Sequence, residues 1–379
     1  MYKNDEDDSR FQFMLGNHAI AEGAIFAGCR FFAGYPITPA SEIAERMAER
    51  LPEVGGRFIQ MEDELGSIYA IIGASLAGKK AMTATASAGF NYMQEGIGFA
   101  VATETPIVIV DVMRLRGAEQ ATHADIMQVR WGASGDHEMI VLAPSSVQEL
   151  FDYTIEAFNL SEKYRNPVIL VSEMTLSLMR EKIRIPSKDE VHIINRKRPT
   201  VSPDEFLPFK AGEDEVPPMA RFGDGYRVFY TINPHDERGM ITGDLEIYDK
   251  LYRRITNKIR RAIDDIVKYE SYYLEDSDIA VIAYGSEARS ALEAVRRARD
   301  RGIKAGLLKL ITVWPFHENL IRKVSEQVKK IIVPEMNIGK YVNEVRRASE
   351  CMAEVISLPL NKGRMHSAEE ILRKIKEVV

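Results

Sequence analysis

The run Ile107-Val108-Ile109-Val110 constrains the fold more than any other feature of this sequence. Every residue in it is β-branched, which favours a strand. Both alternating faces are apolar, so neither face of that strand can meet water. Such a strand belongs in a parallel sheet with helices packed above and below. The flanking pattern agrees. Between residues 15 and 185, short apolar runs predict strands at 31–35, 57–61, 81–86, 106–113, 139–143 and 167–172. Amphipathic stretches predict helices near 17–28, 39–51, 64–78, 90–103, 146–162 and 175–182, and Ser146 with Glu149 has the spacing of a capping box. This alternation is that of a doubly wound α/β domain.

The pattern changes at residue 186. Prolines 186, 199, 203, 208, 217 and 218 are interleaved with charge, and a charged helix follows near 246–270. This stretch reads as an elaborated connector with some packed structure. From 276 the α/β alternation resumes, with strands at 279–284, 305–309, 330–334 and 354–358 and helices near 286–301, 316–328, 338–350 and 367–377. Ser286 and Ser367 stand where N-caps belong. The expected division is 15–185, 186–275 and 276–379.

Composition removes several function classes. The 379 residues carry a net charge of −6, so no basic field favours nucleic acid. No apolar run is long enough to span a bilayer, and the acidic start (Met1 to Asp8) reads as a frayed tail, unlike a targeting peptide. Only Cys29 and Cys351 are present, each in a helix-like stretch. A disulfide framework has no support, the expected compartment is the cytoplasm, and four cysteine ligands for an iron–sulfur cluster cannot come from this chain alone. Gly73 to Lys80 nearly spells a phosphate-binding loop, but it ends a helix and has Lys80 in place of the magnesium-binding hydroxyl. Gly223-Asp224-Gly225 reads as a turn. The seven histidines show no metal-ligand spacing.

Chemistry gathers at four successive strand ends. In Gly34-Tyr35-Pro36-Ile37-Thr38-Pro39-Ala40-Ser41-Glu42, a strand stops at Gly34 and Thr38 is the expected N-cap, with Pro39 opening the helix. Locally this is either a capped turn or the wall of a ligand site. Glu62-Asp63-Glu64-Leu65-Gly66-Ser67 follows the next strand; its acids complement a helix dipole, and Glu64 is the one expected to turn inward. Thr83-Ala-Thr85-Ala-Ser87-Ala-Gly89 leaves room for a ring. Val112-Met113-Arg114-Leu115-Arg116-Gly117 offers guanidinium groups suited to a carboxylate ligand.

Together these motifs resemble a known family. The elbow, Glu64-x-Gly-Ser67, Thr85-Ala-Ser-x-Gly89 and Val112-x-Arg114 all match, as do Met127-Gln-Val-Arg-Trp-Gly-Ala-Ser-Gly-Asp136-His137, Val313-Trp-Pro-Phe316 and Val333-Pro-Glu-Met-Asn337. In order and spacing the chain is similar to the alpha subunit of 2-oxoacid:ferredoxin oxidoreductases, most of all the 2-oxoglutarate type. The resemblance implies a pyrimidine-type thiamine diphosphate domain followed by a smaller transketolase C-terminal-like α/β domain. Glu64 would hydrogen-bond N1′ of the aminopyrimidine, where protonation favours the imino form whose 4′-nitrogen takes the thiazolium C2 proton. Tyr35, Pro36, Ile37, Ser87 and Gly89 would line the cofactor, and Thr38, Arg114 and Arg116 would meet the 2-oxoacid.

The resemblance also implies a partner beta subunit carrying the diphosphate and Mg²⁺ site and the [4Fe-4S] cluster. Coenzyme A would be co-substrate and ferredoxin the electron acceptor, with gamma and delta subunits as further candidates. Two departures stand out. Ala40 replaces a common serine, and the loop from Arg114 to Asp125 is shorter than usual in the family. Arg116, Thr122 and His123 are the candidates to replace the lost contacts. The alternatives are the same chemistry on pyruvate or a branched-chain 2-oxoacid, or a non-catalytic scaffold subunit.

Overall fold

The run at 107–110 leads into the middle of a seven-stranded sheet. The computed structural model describes residues 10–117 and 120–379. The acidic stretch expected as a tail lies outside them, as do Ala118 and Glu119 of the loop after Arg114. The strands are β1 (Phe11–Leu15), β2 (Cys29–Gly34), β3 (Arg57–Gln60), β4 (Lys80–Thr85), β5 (Val108–Met113), β6 (Ile140–Leu142) and β7 (Val168–Glu173). They continue with β8 (Arg180–Arg184), β9 (Tyr269–Tyr272), β10 (Ile279–Tyr284), β11 (Ala305–Leu310), β12 (Thr312–Trp314), β13 (Lys330–Glu335) and β14 (Glu354–Pro359). The helices are α1 (Gly16–Phe26), α2 (Ser41–Arg50), α3 (Glu64–Leu76), α4 (Ser87–Tyr92), α5 (Gln94–Ala102), α6 (Gln128–Trp131) and α7 (Val147–Tyr164). After them come α8 (Met174–Leu178), α9 (Leu245–Arg260), α10 (Ile263–Ile266), α11 (Glu287–Arg299), α12 (Glu318–Gln327), α13 (Val342–Ser349) and α14 (Ala368–Val378).

The first sheet has the order β12-β6-β7-β5-β4-β2-β3, parallel except for β12, which runs antiparallel to β6. The second has the order β14-β13-β10-β11-β9, with β9 antiparallel at its edge. Strand β5 is buried throughout. Val108, Val110 and Val112 face one core with Ile20 and Phe151. Ile109 and Met113 face another, shared with Ile282, Leu308 and Val333 of the second sheet. One apolar core therefore joins the two sheets.

Several local expectations need correction. The helix expected at 175–182 stops at Leu178, because Arg180–Arg184 pairs antiparallel with Phe11–Leu15, a partner far away in sequence. The helix expected at 90–103 is two helices that meet at Met93. Ser286 has helical backbone and its hydroxyl makes no capping bond. Cys29 opens strand β2 and Cys351 follows α13, so neither is helical, and both are free thiols. Ser146 does cap α7, but the Glu149 carboxylate turns to the Ser145 N–H (2.8 Å), so the box is half formed. The box at Ser367 and Glu370 is complete. β9 lies within the stretch read as connector.

That stretch is held by buried charge. The wholly buried Arg165 donates to the carbonyls of Glu104 (3.0 Å), Pro217 (3.1 Å) and Pro218 (3.1 Å). Its own carbonyl accepts from Lys258 Nζ (3.0 Å), which also meets the Glu104 carboxylate at 2.7 Å. Arg254 completes the cluster on Glu104 at 2.9 Å. Burial pushes the Glu104 carboxyl up, but the Arg254 and Lys258 charges outweigh it and hold the group far below its ordinary value. Burial pulls Lys258 down to about 8 against the attraction of Glu104.

A carboxyl depressed in the folded state contributes stability above its unfolded value of 4.5 and loses it as pH falls. Glu104→Gln should therefore cost about 3–5 kcal/mol at neutral pH, because it strands the buried Lys258 and the half-buried Arg254. It should also flatten the acid limb of the stability curve. Urea denaturation across the acid range checks both, and an unchanged acid limb would contradict the assignment.

Candidate active site

The sheet order places β3, β2, β4 and β5 side by side, so the four motif-bearing strand ends emerge along one edge. At the end of β2 the chain turns through Thr38 and Pro39, and the Ala40 N–H donates to the Ile37 carbonyl at 2.8 Å. Helix α2 begins at Ser41 with Ala40 in the cap position and no side-chain cap. Thr38 is thus not the N-cap. Asn17 on α1 fixes the elbow instead, donating to the Pro39 carbonyl (2.7 Å) and the Glu42 carboxylate (2.8 Å). Tyr35, Pro36 and Thr38 are exposed and Ile37 is half-buried, so the Thr38 hydroxyl stands clear of the helix.

At the end of β3, Asp63 is the N-cap of α3 and accepts from the Gly66 N–H at 2.6 Å. Because Asp63 takes the capping role, Glu64 opens the helix facing inward. It is 6% exposed, whereas Glu62 and Asp63 are exposed. Its carboxylate lies over Gly89 of α4. A side chain at 89 would collide with the Glu64 carboxylate and the Thr85 hydroxyl, with Glu64 Cδ 2.6 Å from the added carbon. The buried Thr85 hydroxyl has no hydrogen-bond partner among the described residues. A carboxylate and an orphaned hydroxyl therefore meet at a position where a side chain has no room.

Ser87 is already engaged. Its hydroxyl accepts from the Arg114 N–H at 3.0 Å and donates to the Asp125 carboxylate, a stronger acceptor than the nearby Arg114 carbonyl. After β5, Arg114 bridges Ala121 and the Leu115 N–H donates to the Gln120 carbonyl at 2.9 Å, so the short loop closes on itself. Arg114 sits half-buried at its base and Arg116 is exposed near the Gly117 tip. Thr122 and His123 do not join the site. Thr122 donates to the Met336 carbonyl (2.9 Å), and His123 stacks on Tyr284 with centroids 4.6 Å apart. Burial, helped by the charge of His366, pulls His123 down to about 3, so it is neutral.

Two neighbours of the site were not among the sequence candidates. Asp111 is wholly buried in β5 and Asp125 is half-buried. Burial and then the Asp125 charge push Asp111 far above the ordinary carboxyl range. The Ser87 N–H opposes this without reaching hydrogen-bond geometry. The signal for Asp111 was one charge within Val-Ile-Val-Asp-Val-Met.

Comparison with known proteins agrees with the fold. Residues 22–254 match the family described as "Pyruvate flavodoxin/ferredoxin oxidoreductase, thiamine diP-bdg" and residues 277–371 match "Pyruvate:ferredoxin oxidoreductase core domain II". These matches define a thiamine-diphosphate-binding α/β oxidoreductase chain, and the buried Glu64 carboxylate beside the unpartnered Thr85 hydroxyl fits the polar edge of such a cofactor's ring. The 2-oxoglutarate synthase subunit KorA of Methanothermobacter marburgensis is 51% identical over 96% of this chain and 98% of its own length. The ketoisovalerate oxidoreductase subunit VorB of Methanothermobacter thermautotrophicus is 36% identical over 97% of each chain.

A solved 2-oxoglutarate:ferredoxin oxidoreductase from Magnetococcus marinus, with 2-oxoglutarate, coenzyme A and succinyl-CoA bound, superposes with a TM-score of 0.92 at 32% identity. That match covers 97% of this chain and 65% of the other. A split-gene transketolase (TM-score 0.57, 15% identity) shares the fold. The chain belongs to the 2-oxoacid:ferredoxin oxidoreductase family, as a subunit of the alpha type. No helix among the described residues is long and apolar enough to cross a membrane.

Gly89→Ala should displace the Glu64 carboxylate and strain the buried, stiff Thr85, at a cost of about 1–3 kcal/mol. Thiamine diphosphate affinity of the assembled enzyme should fall about tenfold or more, and the melting temperature by several degrees. Wild-type affinity in that variant would show that the undisplaced Glu64 carboxylate is not needed.

Proposed function

We propose that this chain is the alpha subunit of a 2-oxoglutarate:ferredoxin oxidoreductase that forms the acyl-CoA and passes electrons to ferredoxin. The buried first-turn carboxylate of Glu64, seated over Gly89, carries the reading. When bound, thiamine diphosphate supplies the electron sink for decarboxylation of the 2-oxoacid. Glu64 holds a proton at N1′ of its pyrimidine ring, and burial strengthens that hydrogen bond. Gly89 and Ser87 shape the wall on one side, and Tyr35, Pro36 and Ile37 on the other. Arg114 meets the substrate carboxylate with its planar fork, and Thr38 offers a hydroxyl that the helix does not use. Arg116, near the tip of the closed loop, is placed for the distal carboxylate now that Thr122 and His123 are committed elsewhere.

The diphosphate with its Mg²⁺ and the [4Fe-4S] cluster fall to a partner beta subunit, with gamma and delta subunits as further members, in the cytoplasm. The division into 15–185, 186–275 and 276–379 is part of the same reading. Identity near 50% to several 2-oxoglutarate synthase subunits, against 36% to a ketoisovalerate one, supports 2-oxoglutarate over a branched-chain acid.

The complex reconstituted with its partner chains and assayed by coenzyme A-dependent viologen reduction tests this. Glu64→Ala should lower kcat by about 100-fold or more with assembly intact, and near-normal turnover would sink the role. Arg116→Ala should raise KM for 2-oxoglutarate about tenfold and leave that for pyruvate unmoved. Equal effects on both acids would remove Arg116 from substrate selection, and a higher kcat/KM for pyruvate or a branched-chain acid in the unmodified enzyme would change the substrate.

A further inference from the structure

Three segments of the family pattern take no part in the active site: Met127–His137, Val313–Phe316 and Val333–Asn337. Each contributes one residue to a single line of side chains. Trp131 of α6 packs edge-on against Trp314 of β12, with centroids 6.4 Å apart. Trp314 meets Tyr341 at 5.7 Å, Tyr341 meets Tyr284 of β10 at 5.1 Å, and Tyr284 stacks on His123. Rings at these spacings are in van der Waals contact. Both tryptophans of the chain lie in the line. Its four members, Trp131, Trp314, Tyr341 and Tyr284, are all of oxidisable types, whereas Phe316 beside them is not.

The two ends differ. Trp131 is 61% exposed, while Tyr284 is buried under His123, two residues from the Asp125 that accepts the Ser87 hydroxyl. The Tyr284 hydroxyl faces the Glu335 carboxylate at 3.4 Å. Glu335 is wholly buried and also accepts from the N–H groups of Tyr341 (2.8 Å) and Val342 (2.9 Å). Burial, and then the Glu335 charge, push the Tyr284 phenol far above its ordinary value, so the resting group is neutral. A phenol that loses an electron becomes a strong acid, and Glu335 is placed to take its proton. Tyr341 has no such acceptor, because its hydroxyl donates to the Val313 carbonyl at 2.9 Å. Its ring therefore bridges Trp314 and Tyr284 without being oxidised itself. At the outer end the Arg130 guanidinium lies 4.0 Å from the Trp131 ring centroid. That charge disfavours a cation on the ring and favours release of the indole proton to water.

We propose that Trp131, Trp314, Tyr341 and Tyr284 form a path that carries single electrons inward from the surface and discharges oxidants formed near the active site. An oxidant of the hydroxyl-radical class, produced when a reduced redox centre meets dioxygen, takes one electron from Tyr284 and becomes hydroxide. The phenol proton passes to Glu335. An electron from Trp314 then crosses the Tyr341 ring and, with the proton held on Glu335, restores Tyr284. Trp131 refills Trp314 and gives its Nε1 proton to water. A thiol or ascorbate-type reductant in solution returns one electron to Trp131, and water returns the proton. The net change is one oxidant reduced by one external electron. The path stands whatever 2-oxoacid the site takes; only its protective use rests on the chain serving in an oxidoreductase.

Flash-quench photolysis of the full chain, with a ruthenium tris-bipyridine oxidant in solution, reads the path in reverse. Oxidation at the surface should reach Tyr284 and appear by electron paramagnetic resonance as a neutral tyrosyl radical, identified as the signal lost in Tyr284→Phe. The same signal should be lost in Trp131→Phe and in Trp314→Phe. Absence of any Tyr284-dependent signal, or its full survival in either tryptophan variant, overturns the path. In the reconstituted complex turning over in air, Trp314→Phe should be inactivated several-fold faster than the unmodified enzyme, with its anaerobic kcat unchanged. Equal inactivation would overturn the protective use and leave the path to the radical measurement. Trp131→Phe, at an exposed position, keeps both measurements decisive if Trp314→Phe does not fold.

Discussion

A parallel sheet obliges every strand to end on the same edge as its parallel neighbours, and the whole site follows from that constraint. The order β3-β2-β4-β5 places four successive strand ends in contact, although they are spread from Gly34 to Met113 in sequence. Each end then solves the same local problem differently. Asp63 caps its helix and frees Glu64 to turn inward. Ala40 cannot cap, so Asn17 holds the elbow from another helix. Ser87 spends its hydroxyl on the neighbouring strand end rather than on its own helix.

Irregular chain can be as fixed as a helix when its carbonyls have partners. Residues 186–244 contain no helix or strand, yet Arg165, Lys258 and Arg254 gather carbonyls and one carboxylate into a buried cluster. The same accounting governs the Arg196–Glu162 pair, both ends of which are buried, with Arg196 also reaching the Ser75 carbonyl at 2.9 Å. Prolines suit this arrangement because they donate nothing and leave acceptors for the guanidinium.

What the sequence disclosed depended on the range of the interactions involved. The apolar run of β5 and the caps at Ser146 and Ser367 are local patterns and were legible. The burial of Glu64 was legible too, because an apolar helical face follows it. Thr38 was misread as a cap because its rival, Asn17, stands about twenty residues earlier on a separate helix. Arg180–Arg184 carries four charges and looks like surface helix until Phe11–Leu15 pairs with it.

Strand β12 belongs to the first sheet, although β11 and β13 on either side of it in sequence belong to the second. It covers the outer edge of β6, the position at which an unpaired strand is most exposed to strangers. During synthesis that edge must wait uncovered while the ribosome moves from Leu142 to Trp314. At about 5–20 residues per second this is on the order of ten to thirty seconds. The nascent N-terminal half is therefore an open-edged intermediate, and whatever attends the chain in the cell meets it first in that form.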